Sequence, residues 1–283
     1  MNPVRIMTDS TADVVPQVAA RLVRVPLTIH FGEEDYIDGV TITHQEFYEK
    51  LAECDTLPTT SQATPYAFTE VFQKAVDAGE DVVVITISEK LSGTCQSAML
   101  AAEDFPGRVY VVDSKSVTLG SGILAEYALQ LADQGMSAAA IAEELTAQRE
   151  NIHLVALLDT LEYLKRGGRI SKTVAIAGGL LSIKPVISLD GGEIKILGKA
   201  RGSRQGNSLL VQEIERAGGI DFDRPLLLGY TGLNDALLQK YIQDSAALWE
   251  GKRAPLPCTI VGSVVGTHAG PGAIAVAFFQ KDN

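Results

Sequence analysis

The sequence predicts a mixed α/β protein: an N-terminal parallel sheet flanked by helices, then a C-terminal α+β domain. Three observations predict the two halves. The first half alternates β-branched runs such as "VRIMT", "DVVVITIS" and "RVYVVDS" with helical patterns, the order that builds a parallel sheet covered on both faces. The second half sets a hairpin, "KPVISLDGGEIKILGKAR", among its helices. A chain of 283 residues with 46% hydrophobic and 21% charged residues can bury a core in each half. The boundary falls near residue 150, giving domains 1–150 and 151–283.

The elements follow in order. Val4 to Thr8 reads as the first strand, and Asp9, Ser10 and Thr11 are N-cap types at its carboxyl end. Residues 25–42 carry turn residues every few positions and read as a small antiparallel excursion. Thr43 and Glu46 have capping-box spacing for a helix. Thr64 and Pro65 open the helix Tyr66 to Ala78 as N-cap and N1 residues. The strand Asp81 to Ser88, the helix Gly93 to Asp104, the strand Arg108 to Ser114 and the helix Leu119 to Gln134 complete the parallel pattern. A helix over Ser137 to Asn151 leads to the strand Leu154 to Thr160, and a further helix is expected over Val174 to Leu180. Val186 to Leu189 and Glu193 to Leu197 flank the hairpin turn Asp190-Gly191-Gly192. Then come the helix Ser203 to Ala217, the strand "PLLLGYTG", the helix Asn234 to Trp249, and two last strands, "CTIVGSVVG" and "AIAVAFF".

The net charge of -11 gives no general footprint for nucleic acid and disfavours anionic lipid surfaces, leaving at most transient membrane contact. Cys54, Cys95 and Cys258 are scattered and odd in number, which suggests free thiols in a reducing compartment. Neither a signal peptide nor a run of transmembrane length is seen, so a soluble cytoplasmic protein is expected. GxSxG, P-loop and GxGxxG patterns are missing, and His30, His44, His153 and His268 lack metal-ligand spacing. No metal and no cofactor are expected.

What remains is a set of hydroxyl-rich loops after strands. "TTSQAT" holds Thr60 and Ser61, and "SEKLSGTCQSA" sets Ser92, Gly93 and Thr94 at a helix start. Free N–H groups and dipole potential there suit a carboxylate or phosphate, although Ser and Thr are also ordinary N-caps. "GTHAGPGA" frames His268 with Gly266, Gly270 and Gly272 in what reads as a loop before the last strand. "YLKRGGRISK" gathers Lys165, Arg166, Arg169 and Lys172 around a Gly167-Gly168 break, and "GKARGSRQG" adds Lys199, Arg201 and Arg204. In so acidic a chain this charge points to an anionic ligand or an acidic partner, against the alternative of a solvated face.

In order along the chain, "TDSTADV", "TTSQ", "LSGTCQSA", "VVDS", "TLEYLKRGGRI", "KPV" with its hairpin, "KARGS" and "GTHAGPGA" resemble the DegV family, which includes the fatty-acid-binding (FakB) subunits of bacterial fatty acid kinase. One departure is Ala63, where that family often has proline after "TSQ". The resemblance implies a non-catalytic lipid-binding subunit that holds a long-chain fatty acid in an apolar tunnel between two domains. By the same resemblance it would present the carboxylate to the catalytic subunit of an ATP-dependent kinase and then carry the acyl phosphate towards phospholipid synthesis. Carried onto this chain, it assigns carboxylate binding to Thr60, Ser61, Ser92, Gly93, Thr94 and His268, and the portal or partner-docking face to Arg169 and Arg201. The residues alone leave another class open: an enzyme acting on a small phosphorylated or hydroxylated metabolite through Ser92 or His268. A third class, an interaction protein built on the basic patch, is also open.

Overall fold

The computed structural model describes residues 2–171, 183–250 and 255–281. The helix expected at Val174 to Leu180 and the cation Lys172 lie outside the described residues. In chain order the first half contains β1 (Val4–Asp9), α1 (Pro16–Ala19), β2 (Val23–Val25), β3 (Thr28–Phe31), β4 (Glu34–Ile37), α2 (His44–Glu53), β5 (Thr59–Ser61), α3 (Pro65–Asp77), β6 (Asp81–Thr86), α4 (Thr94–Ala102), β7 (Val109–Asp113), α5 (Leu119–Asp133) and α6 (Ala138–Gln148). The second half contains β8 (Ile152–Leu157), α7 (Glu162–Arg166), β9 (Ile183–Asp190), β10 (Glu193–Arg201), α8 (Gly202–Arg216), β11 (Leu226–Tyr230), α9 (Ala236–Asp244), α10 (Ala246–Trp249), β12 (Cys258–Ile260), α11 (Ser263–Ala269) and β13 (Ile274–Phe279).

Strands β2, β1, β6 and β7 form a parallel sheet in that order. Alternation along its strands feeds two cores, since successive strand side chains point to opposite faces. Met7, Val82 and Val84 pack with Phe68, Phe72, Ala98 and Ala101 of α3 and α4. Ile6, Val83, Ile85 and Val112 pack with Leu124, Ala128 and Leu129 of α5 and Ile141 and Leu145 of α6. The antiparallel excursion is present as β3 and β4, and β5 joins it in the order β4-β3-β5.

The second half forms one six-stranded sheet, β10-β9-β8-β13-β11-β12, antiparallel except between β11 and β12. One face, carrying Val155, Leu157, Leu228, Val276 and Phe278, packs on Leu210, Ile214, Leu238 and Tyr241 of α8 and α9. The opposite face, with Leu154, Ala156, Leu227, Ala275 and Ala277, receives Leu119 and Ile123 of α5. Helix α5 therefore lies between the two sheets and contributes to both cores. We propose a domain boundary near residue 150, supported by the change of sheet between β7 and β8. Limited proteolysis should cut first close to Arg149–Asn151 and leave two fragments associated through α5. First cuts inside the hairpin or α2 would sink it.

Several elements differ from expectation. Asp9, Ser10 and Thr11 cap no helix: Asp9 Oδ1 accepts from Thr11 N at 2.9 Å and Oδ2 from Ile87 N at 2.7 Å, so the motif closes a turn and braces the next strand. Helix α1 is only four residues long and its N-cap is Val15. "TTS" is a short strand rather than a loop, fixed by pairing with β3. The expected helix Asn234 to Trp249 breaks at Ser245 into α9 and α10. "CTIVGSVVG" is a strand only to Ile260; from Ser263 it is helix α11, so His268 stands in the last turn of a helix, not in a loop. All three cysteines are free, but only Cys95 is fully buried.

Candidate functional site

The parallel sheet's carboxyl edge, the six-stranded sheet and α11 line a narrow cavity of about 110 Å³. Its floor is a row of small residues. Ala156, Ala275 and Gly229 are direct cross-strand neighbours on β8, β13 and β11, and all three line the cavity with Ala273. Their strand neighbours Val155, Leu157, Leu228 and Val276 point into the opposite core. The sheet thus puts its bulk on one face and leaves the other hollow. Leu154, Leu158, Leu164, Ile187, Leu189, Ile194, Val261 and Val264 complete an aliphatic wall.

Polar groups gather where Thr60, Gln62, Ser92, Arg169 and His268 line this cavity. The pleat of β5 turns Thr60 inward, and its Oγ1 lies 3.0 Å from His268 Nε2. His268 Nδ1 is buried without a hydrogen-bond partner. Burial, aided by repulsion from Arg169, pushes the imidazole pKa down to about 4. His268 is accordingly neutral near pH 7. A neutral imidazole can still donate one N–H to an anion.

Two glycines hold this histidine. A Cβ on Gly167 would lie 2.1 Å from His268 Nδ1, so Gly167 is a packing requirement, while Gly168 turns the chain at φ +73. Gly270 ends α11 at φ +71, and a Cβ there would strike the Tyr163 ring at 2.3 Å. Arg169 reaches in from beyond α7. Its Nε donates to Leu91 O at 3.2 Å and its Nη1 to Gly167 O at 2.6 Å. Burial pulls its pKa below the ordinary arginine value.

Ser92 stands just before α4. Its Oγ lies 2.9 Å from Thr94 Oγ1 and accepts from Thr94 N at 3.3 Å. Gly93 is the N-cap residue, and Thr94 is fully buried behind Ser92. Gln62 crosses from β5 to this turn, donating to Ser97 Oγ at 2.9 Å. A Cβ on Gly93 would sit 2.1 Å from Gln62 Oε1, so that glycine makes room for the amide.

The structure therefore brings Thr60, Ser92, Arg169 and His268 together around one cavity, with Gly93 and Thr94 behind Ser92. Ser61 points the other way, its Oγ 2.7 Å from His30 Nε2. Arg201 is exposed at the far end of β10, seven residues and about 23 Å along the strand from the lining residue Ile194. Gln62 was not among the expected site residues, nor was the Ala/Gly floor. An open depression of about 540 Å³ shares Leu91, Arg169 and Ile194 with the cavity and is edged by Lys90, Lys195 and Glu193. It forms a mouth over the polar end. Arg166 is instead tied to Glu162 at 2.6 Å. Among the described residues no cluster of His, Cys, Asp or Glu could hold a metal ion, and no helix is long and apolar enough to cross a membrane.

Behind the cavity lies a buried acidic group. Asp13 Oδ1 accepts from Gly262 N, at the start of α11, at 2.9 Å, and Oδ2 accepts from Thr118 Oγ1, at the start of α5. Thr118 lines the cavity at φ +49, a strained value for a β-branched residue. Burial pushes the Asp13 carboxyl up to about 7, against the smaller pull of its hydrogen bonds.

A family model described as DegV, uncharacterised protein, matches residues 3–281. A DegV domain-containing protein of Caldanaerobacter subterraneus subsp. tengcongensis is 34% identical over 287 residues, covering 99% of this chain and 100% of that relative. Among solved structures, a DegV family protein from Thermus thermophilus, described by its fatty acid binding, is similar with a TM-score of 0.86 and 32% identity, covering 99% of this chain and 100% of that one. The Streptococcus pneumoniae fatty acid kinase B3 protein, solved loaded with linoleic acid, is similar with a TM-score of 0.84 and 25% identity, covering 99% and 100%.

Proposed function

Because this chain belongs to the DegV family, we propose that it binds a long-chain fatty acid in the cavity between its sheets and presents the carboxylate to a partner ATP-dependent fatty acid kinase. The observation that carries this is one aliphatic cavity with a polar end of Thr60, Ser92 and His268. Burying about 14 methylenes at ~0.8 kcal/mol each offers roughly 11 kcal/mol before the costs of association.

The carboxylate sits among Thr60, Ser92 and His268, with Gly93 and Thr94 supplying the turn behind Ser92. Ser61 contributes through its place on β5 rather than its hydroxyl, which is engaged with His30. Neutral donors hold the anion without a tight ion pair, so an oxygen stays nucleophilic for phosphoryl transfer, where positioning and charge stabilisation dominate. Arg169 adds positive potential at the mouth. The kinase docks over that mouth, with Arg201 as an outlying docking residue, and the acyl phosphate then feeds phospholipid synthesis. An enzyme built on Ser92 fits less well, because the hydroxyl's neighbour is Thr94 and not a base.

Native mass spectrometry of protein purified from a bacterial host should show a long-chain fatty acid. Ser92→Ala and His268→Ala should each weaken its binding about 10- to 100-fold, the worth of a hydrogen bond to a charged group, and lower acyl phosphate formation with an added kinase. Full affinity in both variants would overturn the head-group assignment. Empty wild-type protein that takes up no fatty acid would overturn the carrier role itself.

A further inference from the structure

The outer face of the β4-β3-β5 sheet carries a second constellation, away from the cavity. His30 lies on the central strand, directly opposite Asp35 on β4 and one diagonal step from Ser61 on β5. His30 Nδ1 is 2.6 Å from Asp35 Oδ1, and His30 Nε2 is 2.7 Å from Ser61 Oγ. A carboxylate only accepts hydrogen bonds, so the ring proton belongs on Nδ1. Nε2 is then the acceptor, and the Ser61 hydroxyl is the donor. This is the order of groups that activates a serine: nucleophile, base, and a carboxylate that fixes the base's tautomer. Ser61 and Asp35 are exposed and His30 is half-buried, so an acyl group in solution can reach the hydroxyl.

We propose that Ser61, His30 and Asp35 form a nucleophilic site that reacts with activated carboxylic esters. Ser61 Oγ attacks the ester carbonyl while its proton passes to His30 Nε2. The bond to the alcohol oxygen breaks, and that oxygen takes the proton from His30. Water, deprotonated by His30, then cleaves the acyl-serine, releasing a carboxylic acid and restoring the hydroxyl. Asp35 acts as a positioning residue through His30. The period-two pleat makes this compatible with the cavity: β5 shows Thr60 to one face and Ser61 to the other. The proposal is independent of fatty-acid binding.

The test treats the full chain with a fluorophosphonate probe and, separately, with p-nitrophenyl butyrate. One adduct, mapped to Ser61, is expected, and Ser61→Ala abolishes it. His30→Gln should slow labelling and ester turnover about 100-fold, the usual worth of a general base. Asp35→Asn should lower kcat while leaving KM unchanged, a split that a structural role alone would not produce. All three substitutions lie on a solvent-facing sheet surface, and circular dichroism checks that each variant is folded. Wild-type protein labelled no faster than Ser61→Ala, an adduct on another serine, or equal rates in His30→Gln would each overturn the proposal.

Discussion

Protein carrying Ala275→Phe leaves a bacterial host without bound fatty acid, yet folds. Ala275 lies at the centre of the cavity floor, flanked across the strands by Ala156 and Gly229. A phenyl ring there enters space that the native chain leaves open, so it gains apolar contacts instead of forcing packed neighbours apart. It also takes the room of several methylenes of the ligand. Excluding about five methylenes at ~0.8 kcal/mol each removes about 4 kcal/mol, on the order of a thousandfold in affinity. Titration with a fluorescent fatty acid gives the loss, and urea denaturation gives the stability. Ala277→Phe is the contrast: Ala277 is fully buried in the α5 core and does not line the cavity, so overpacking there costs stability. Undiminished binding in Ala275→Phe would mean that the ligand lies elsewhere.

Asp13→Asn becomes more stable relative to wild type as pH rises from 5 to 8. The folded-state pKa of Asp13 is about 7, against 3.8 ordinarily. Between those values the folded chain holds a proton that the unfolded chain has lost, so stability falls as pH rises through that window. A shift of this size is worth about 4 kcal/mol at most. Asp9 and Asp38 are displaced upward by burial too, while burial displaces His44 and His268 downward and opposes them at acid pH. The difference between wild type and Asp13→Asn isolates the one group. Asparagine keeps an acceptor for Gly262 N and offers Thr118 Oγ1 a donor, so the clasp between α5 and α11 survives. Urea unfolding of both proteins from pH 5 to pH 8 should diverge by about 2–3 kcal/mol. Parallel curves would show that Asp13 is ionised throughout.

What local chemistry decides was legible in the sequence. The Thr43–Glu46 capping box closes as its spacing predicts, with Thr43 N bonded to Glu46 Oε2 at 2.8 Å. The hairpin turns at Gly191 and Gly192 with positive φ at both. Helix α11 was not legible, because Val264 and Val265 continue a β-branched run. Helix wins there through tertiary packing: Gly266 lies so close to Tyr48 and Phe47 of α2 that no Cβ fits. Strand β5 escaped because three residues carry no period, and only β3 defines it. The hollow floor was written in "AIAVAFF", where alanine alternates with larger residues. Alternation alone does not say whether a small residue faces a helix, as Ala277 does, or empty space, as Ala275 does. The meeting of Thr60, Ser92 and His268 depends on contacts across the whole chain, which spacing does not encode; the family resemblance anticipated it. The same resemblance grouped Ser61 and Arg201 with them, and the pleat of β5 and the length of β10 set those two apart.

Helix α5 has a consequence for how the chain comes into being. One side of it is served by strands made before it, the other by β8, made soon after, and by β11 and β13, made long after. During synthesis the side bearing Leu119 and Ile123 stays partly bare until β13 has left the ribosome. A truncated product ending near residue 150 keeps that sticky stripe for good, so it is destined for chaperones or proteases, and the two halves mature only as a single cooperative unit.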